Sequence, residues 1–165
     1  MTSRTFALWV EPTTAALADG RAQVIAFARS TPEEVWAQPS EVEGWTNKDI
    51  LAHIGRGNDQ ILQKLLRSVV AGDRVDMAMF AVDTDDANAR GVEERQERTL
   101  DELMVELRES GDEIQELLSR LSDKDEHLRQ EDPPFVLKGF LEFVAKEGHD
   151  LEHLAQLRAA LEVNA

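Results

Sequence analysis

The chain reads as all-α, a four-helix bundle with one long crossover connection, and three observations predict it. Apolar residues recur at helical spacing in four long stretches, most stretches carry their own start signal, and no segment alternates with the two-residue period of a strand. The 165 residues, 42% of them hydrophobic, suit a single domain over 1–165 with its own core. No internal repeat or low-complexity tract divides it.

Residues 13–30 form the first helix, rich in alanine, with Leu17, Val24, Ile25 and Phe27 as apolar positions. Thr31-Pro32-Glu33-Glu34 then places a capping hydroxyl, a proline at the first helical position and an acid at the third, predicting a short helix with Val35 and Trp36 that Pro39 ends. The clearest signal follows: Thr46 as N-cap, Asp49 as the capping-box acid, and Trp45 before the cap, able to pack on Ile50. A long helix from 47 to about 71 is expected. Residues 72–83 lack periodicity and form the long connection. Helix resumes at Asp85, irregular at Gly91, and Thr99-Leu100-Asp101-Glu102 starts another stretch on which Leu103, Leu107, Ile114, Leu117, Leu118 and Leu121 repeat. A charged turn region at 122–131 leads through Asp132-Pro133-Pro134 into a last helix, about 135–161.

Composition excludes several functions. With 18 Lys plus Arg against 33 Asp plus Glu, the formal net charge is −15, and the basic residues are scattered, so a nucleic-acid backbone is repelled. The absence of cysteine removes disulfides and intrinsic thiol chemistry and is compatible with a reducing compartment. The N-terminal apolar run is too short for a signal segment, and no stretch has the length of a membrane span. A cytoplasmic protein without membrane or nucleic-acid partners is expected.

The candidate chemistry lies in His53, on the second long helix, and in His149 and His153, one helical turn apart in Glu-Gly-His-Asp-Leu-Glu-His. Three neutral imidazoles can hold a divalent metal and leave a coordination position open, although a lone H-x3-H is more often a solvated pair. On an ideal wheel of about 100° per residue, His53 falls at the edge of the stripe of Ile54, Ile61, Leu62 and Leu65, in line with Gly57, Gln60 and Lys64. A glycine at position 57 costs about 1 kcal/mol of helix stability relative to alanine. It could leave room for a ligand or admit another helix.

The run Gly-Trp-Thr-x-x-Asp-x-Leu-Ala-His, followed about a hundred residues later by H-x3-H on the final helix, resembles the DinB/YfiT-like metalloenzymes. It is most similar to the branch near the N-terminal domain of mycothiol-dependent maleylpyruvate isomerase. The resemblance covers nearly the whole chain. It implies His53, His149 and His153 as ligands of zinc or nickel. It also implies a thiol-dependent transferase or isomerase acting on a small electrophile, with a low-molecular-weight thiol as cosubstrate. Where the maleylpyruvate isomerases carry a glutamate first in the pair, this chain has His149, which looks like the all-histidine branch. Asn88 resembles an asparagine common near the cleft mouth, without an assigned role.

One feature of the sequence opposes the simple arrangement. A continuous last helix would put Phe140, Val144, Leu151 and Leu154 on one face and the two histidines about 120 to 180° from its centre. The helix then buries two sides, which predicts a homodimer, unless Gly148 distorts the register locally. Asp49 could orient His53 but is equally the capping-box acid. Glu147, Asp150 and Glu152 read as a solvated face, His127 as part of the charged connection, and Trp9, Trp36 and Trp45 as packing anchors. Two other functions stay open: a metal-dependent hydrolase that activates water, and a non-catalytic binder of a small molecule or metal.

Overall fold

The computed structural model describes residues 4–55, 57–80, 84–131 and 134–163. Helix α1 (Glu11–Ser30) has Pro12 in its first turn, and α2 (Glu33–Trp36) is a single turn. Thr31 does not cap α2. Its hydroxyl donates to the Phe27 carbonyl at 2.8 Å, satisfying an acceptor left open by the end of α1, and Pro32 takes the N-cap position instead. The Thr46/Asp49 capping box opens α3 (Asn47–Ile54) as expected, with the Thr46 amide donating to Asp49 Oδ2 at 2.8 Å.

The single helix expected over 47–71 is broken. Gly55 closes α3, its N–H bonding the His53 carbonyl, and α4 (Gly57–Ala71) starts afresh, because two glycines within three residues remove the propensity that would carry a helix through. The in-line relation of His53 to Gln60 and Lys64 therefore lapses. The side-chain surroundings of Gly57 lie outside the described residues.

The crossover holds a 3₁₀ turn (Met77–Phe80) before α5 (Thr84–Glu93), and residues 81–83 of the expected connection lie outside the described ones. Helix α5 passes through Gly91 without the predicted irregularity, since burial of Gly91 and Val92 overrides glycine's weak propensity. The Thr99/Glu102 capping box opens α6 (Leu100–Ser119), and all six predicted leucine and isoleucine positions are buried. The charged region after it contains a ribbon that hydropathy alone could not reveal. Strands β1 (Arg129–Glu131) and β2 (Pro134–Val136) pair antiparallel, Gln130 opposite Phe135, and three residues are too few to display alternation. Asp132 and Pro133 lie outside the described residues.

The last arm is also in two pieces, α7 (Leu137–Glu147) and α8 (His149–Val163). Between them Gly148 takes a left-handed conformation, φ 59° and ψ 51°, and its N–H bonds the Val144 carbonyl. Only glycine adopts this without steric cost. The break resets the register, so the two-faced helix dissolves. Leu137 and Leu141 face inward on α7, Leu154, Leu157 and Ala160 on α8, and Leu151 is 41% exposed. Burial of the last helix no longer requires a homodimer.

The result is an all-α bundle of four arms, α1, α3–α4, α6 and α7–α8, with the small ribbon at one end. Helix α1 packs on α6, α7 and α8; α4 packs on α6; α3 packs on α8 and α5. The apolar core falls into two clusters. One gathers Leu62, Leu65, Leu66, Ile114, Leu118, Leu137 and Leu141, the other Val24, Trp36, Ile50, Leu51, Ile54, Leu103, Leu107 and Leu154. Between them every arm contributes a polar residue: Arg21 lies between Leu17 and Val24, Asp59 between Ile54 and Leu62, Ser110 between Leu107 and Ile114, and Asp150 between Leu141 and Leu154. A charged stratum thus divides the core.

Candidate metal centre

His53 sits in the last turn of α3 and is only 7% exposed. The capping box fixes where α3 begins, and the ring packs beside Trp45, centroids 5.5 Å apart. His149 is the first residue of α8, placed there by the Gly148 break, and His153 follows one turn later. Helix α3 packs on α8, so all three rings meet. His149 Nε2 lies 3.2 Å from His53 Nε2 and 3.1 Å from His153 Nε2. The three offer one nitrogen each within 4.8 Å of one another.

Hydrogen bonding among the rings cannot account for this arrangement. A single Nε2 carries either one proton or one lone pair, so His149 can form an ordinary hydrogen bond with one neighbour only. His153 Nδ1 lies 2.7 Å from Gln156 Oε1, the contact of an N–H donated to a carbonyl, which leaves its Nε2 bare. Burial, followed by the neighbouring His153, lowers the His53 pKa to about 4. Burial first, then His153, His53 and Arg21, lowers that of His149 to about 3. Both rings are neutral at pH 7, the form that ligates a metal. Nitrogens about 2.0–2.1 Å from a tetrahedral zinc stand roughly 3.3 Å from each other, close to the spacing found here. The residues fit a divalent cation.

Gln156 is a positioning partner whose signal in the sequence is its place three residues after His153, on the same helical face. Asp49 is taken by its cap: Oδ2 accepts from both the amide and the hydroxyl of Thr46. Glu147 and Glu152 are exposed as expected, but Asp150 is not part of a solvated face. Its carboxylate accepts from Arg21 Nε at 2.6 Å. Arg21 in turn donates through Nη2 to both oxygens of Asp59, at 3.0 and 2.9 Å, and through Nη1 to the Leu107 carbonyl. Ser110 donates its hydroxyl to Asp59 as well. Burial works against the charged guanidinium, but Asp59 and Asp150 outweigh it, so the Arg21 pKa is raised. Burial pushes the Asp59 carboxyl up against the pull of Arg21 and Ser110. Gly111 lies against the Arg21 side chain, where a Cβ would stand 3.4 Å from Arg21 Cγ, at ordinary contact distance. Asn88 is half-buried on α5, and His127 is exposed. Trp36 is buried and Trp9 donates to the Ser122 carbonyl, both as packing anchors.

Fold and site together define a DinB-like helical bundle with a three-histidine cluster at the junction of two broken arms. Residues 17–141 match the family described as mycothiol maleylpyruvate isomerase N-terminal domain. The chain belongs to that family. The matched stretch contains His53 and stops before His149 and His153. Among solved structures, the crystal structure of the mycothiol-dependent maleylpyruvate isomerase is similar with TM-score 0.69 and 14% identity, over 90% of this chain and 60% of that one. An uncharacterised protein from Escherichia coli UTI89 is similar with TM-score 0.71 and 15% identity, over 92% of each chain. At such identities the likeness is one of fold, and the chain spans about three-fifths of the isomerase's length. No curated protein matches the sequence. Among the described residues, no helix is long and apolar enough to cross a membrane.

Proposed function

We propose that His53, His149 and His153 bind one divalent ion, zinc or nickel, and that the protein uses it to join a low-molecular-weight thiol to a small electrophile, as a transferase or isomerase. The convergence of three Nε2 atoms carries this reading. Bound there, the cation supplies Lewis acidity to a thiolate or water beside it. The chain's own residues do the rest. Gln156 holds His153 in the tautomer that presents Nε2, and Arg21 ties Asp150, the neighbour of His149, to α1 and α4. A chain without cysteine must take its thiol from solution.

The test is metal analysis of protein purified without an affinity tag, paired with His153→Ala. The variant is expected to lose tight metal binding while keeping its helical signal, because the aliphatic core does not depend on the metal. Turnover of an electrophile is expected only when a thiol is added. Full activity without any thiol would reject the thiol step in favour of water as the nucleophile. A metal-free variant that unfolds completely would make the metal structural.

A further inference from the structure

Helix α8 begins at His149 with no buried apolar anchor in its first turn. Leu151 and Glu152 are exposed, and the first buried apolar residue of the helix is Leu154, a full turn after Asp150. The left-handed break at Gly148 separates α8 from α7, so α8 does not inherit its direction from a continuous helix. The aim of His149 Nε2 therefore depends on what ties residues 149–152 to the other arms.

Arg21 of α1 is such a tie. Its Nε donates to Asp150 Oδ2 at 2.6 Å and its Nη2 to Asp150 Oδ1 at 3.3 Å, a planar fork on one carboxylate. The guanidinium is itself held from the far side, because Nη2 also donates to both oxygens of Asp59 on α4 and Nη1 to the Leu107 carbonyl on α6. The Asp150 side chain is only 15% exposed, so water competes poorly for the fork. Asp150 Oδ1 lies 4.0 Å from His149 Nδ1, too far for a hydrogen bond. What couples the two is the backbone they share: a shift of Asp150 carries His149 with it.

We propose that Arg21 is a positioning residue of the metal centre: its fork on Asp150 sets the first turn of α8 so that His149 Nε2 meets His53 and His153. This rests on the metal binding proposed above and extends it to a residue outside the three ligands. A charge effect of Arg21 has the opposite sign. With the divalent cation on the rings, the guanidinium repels it, so an Arg21 that acted by charge alone would weaken metal binding and its loss would tighten it. As a positioning residue, its loss weakens binding.

Zinc affinity, from competition with a chromophoric chelator, and the visible bands of the Co²⁺-loaded full chain test this in variants that keep the net charge of the layer. Arg21→Lys retains the cation, but one ammonium nitrogen cannot form the fork. Arg21→Met combined with Asp59→Asn removes one charge of each sign and leaves Asp150 in place. Each is expected to bind zinc about 10–100-fold more weakly, the range for losing a group that orients a ligand, and to alter the Co²⁺ bands while the helical signal is kept. Leu118→Ala controls for lost stability. It opens a hole in the core cluster that holds no residue of α3 or α8, and zinc affinity is expected to stay within about twofold of wild type. Wild-type affinity in both charge-balanced variants, tighter binding in either, or an equal loss in Leu118→Ala would overturn the proposal. If one variant fails to fold, the other decides; if neither folds, Asp150→Glu decides, since it keeps both charges, lengthens the tie by one methylene and is expected to lose affinity in the same direction. A wild-type chain that binds no zinc refutes the metal centre and this role with it. Zinc bound equally by wild type and variants refutes the positioning role alone.

Discussion

Arg21→Met removes the one cation that the described residues supply to the buried stratum and takes the ion-pair partner from Asp59 and Asp150. The Arg21 side chain is 10% exposed, that of Asp59 9% and that of Asp150 15%, so water cannot replace the lost contacts easily. Breaking a buried pair by deleting one partner costs about 3–5 kcal/mol, mostly the penalty of an uncompensated charge. For a chain of this length each kcal/mol lowers the thermal midpoint by about 2–4 °C, which gives a loss of roughly 6–20 °C. Urea titration and thermal unfolding followed by circular dichroism measure it. The sign with pH is a second check. A buried carboxylate without its cation has a raised pKa, so the native state binds more protons than the unfolded one and stability is regained as pH falls. The deficit of Arg21→Met should therefore narrow between pH 7 and 5. Adding Asp59→Asn and Asp150→Asn should recover most of the loss, since a neutral layer leaves no unpaired charge. A variant Arg21→Met within about 1 kcal/mol of wild type would refute the argument, because exposed ion pairs have that effect.

Gly148→Ala forces a side chain onto a backbone at φ 59° and should lower stability by about 1–2 kcal/mol, with Gly148→Asn losing less; equal midpoints would show that the left-handed break is not needed. The metal-free protein should lose stability as pH falls below about 6.5, since the unfolded chain takes up protons there while His53 and His149, lowered to about 4 and 3, do not. The loss should be complete near pH 3, be smaller in the double variant His53→Gln, His149→Gln, and be offset by saturating zinc; an unchanged profile in that variant would place the titration elsewhere.

The three histidines were singled out through a resemblance to a family motif, whereas the all-α class, the capping boxes at Thr46 and Thr99 and the buried positions of α6 were legible in the sequence itself. Each depends on neighbours three or four residues away, where helix geometry alone fixes who meets whom. The same locality made the last helix misleading: read as one helix, His149 and His153 point away from the apolar face, and only the left-handed turn at Gly148 rotates α8 so that they meet His53. Arg21, Asp59, Ser110 and Asp150 were beyond reach for a different reason. Each looks like an ordinary polar residue on its own helix, and nothing local marks it as buried. They become one network because four arms bring them to the same level, separated in sequence by 38 to 129 residues. Pairing across such distances is decided by how the arms pack, and packing is a property of the whole bundle.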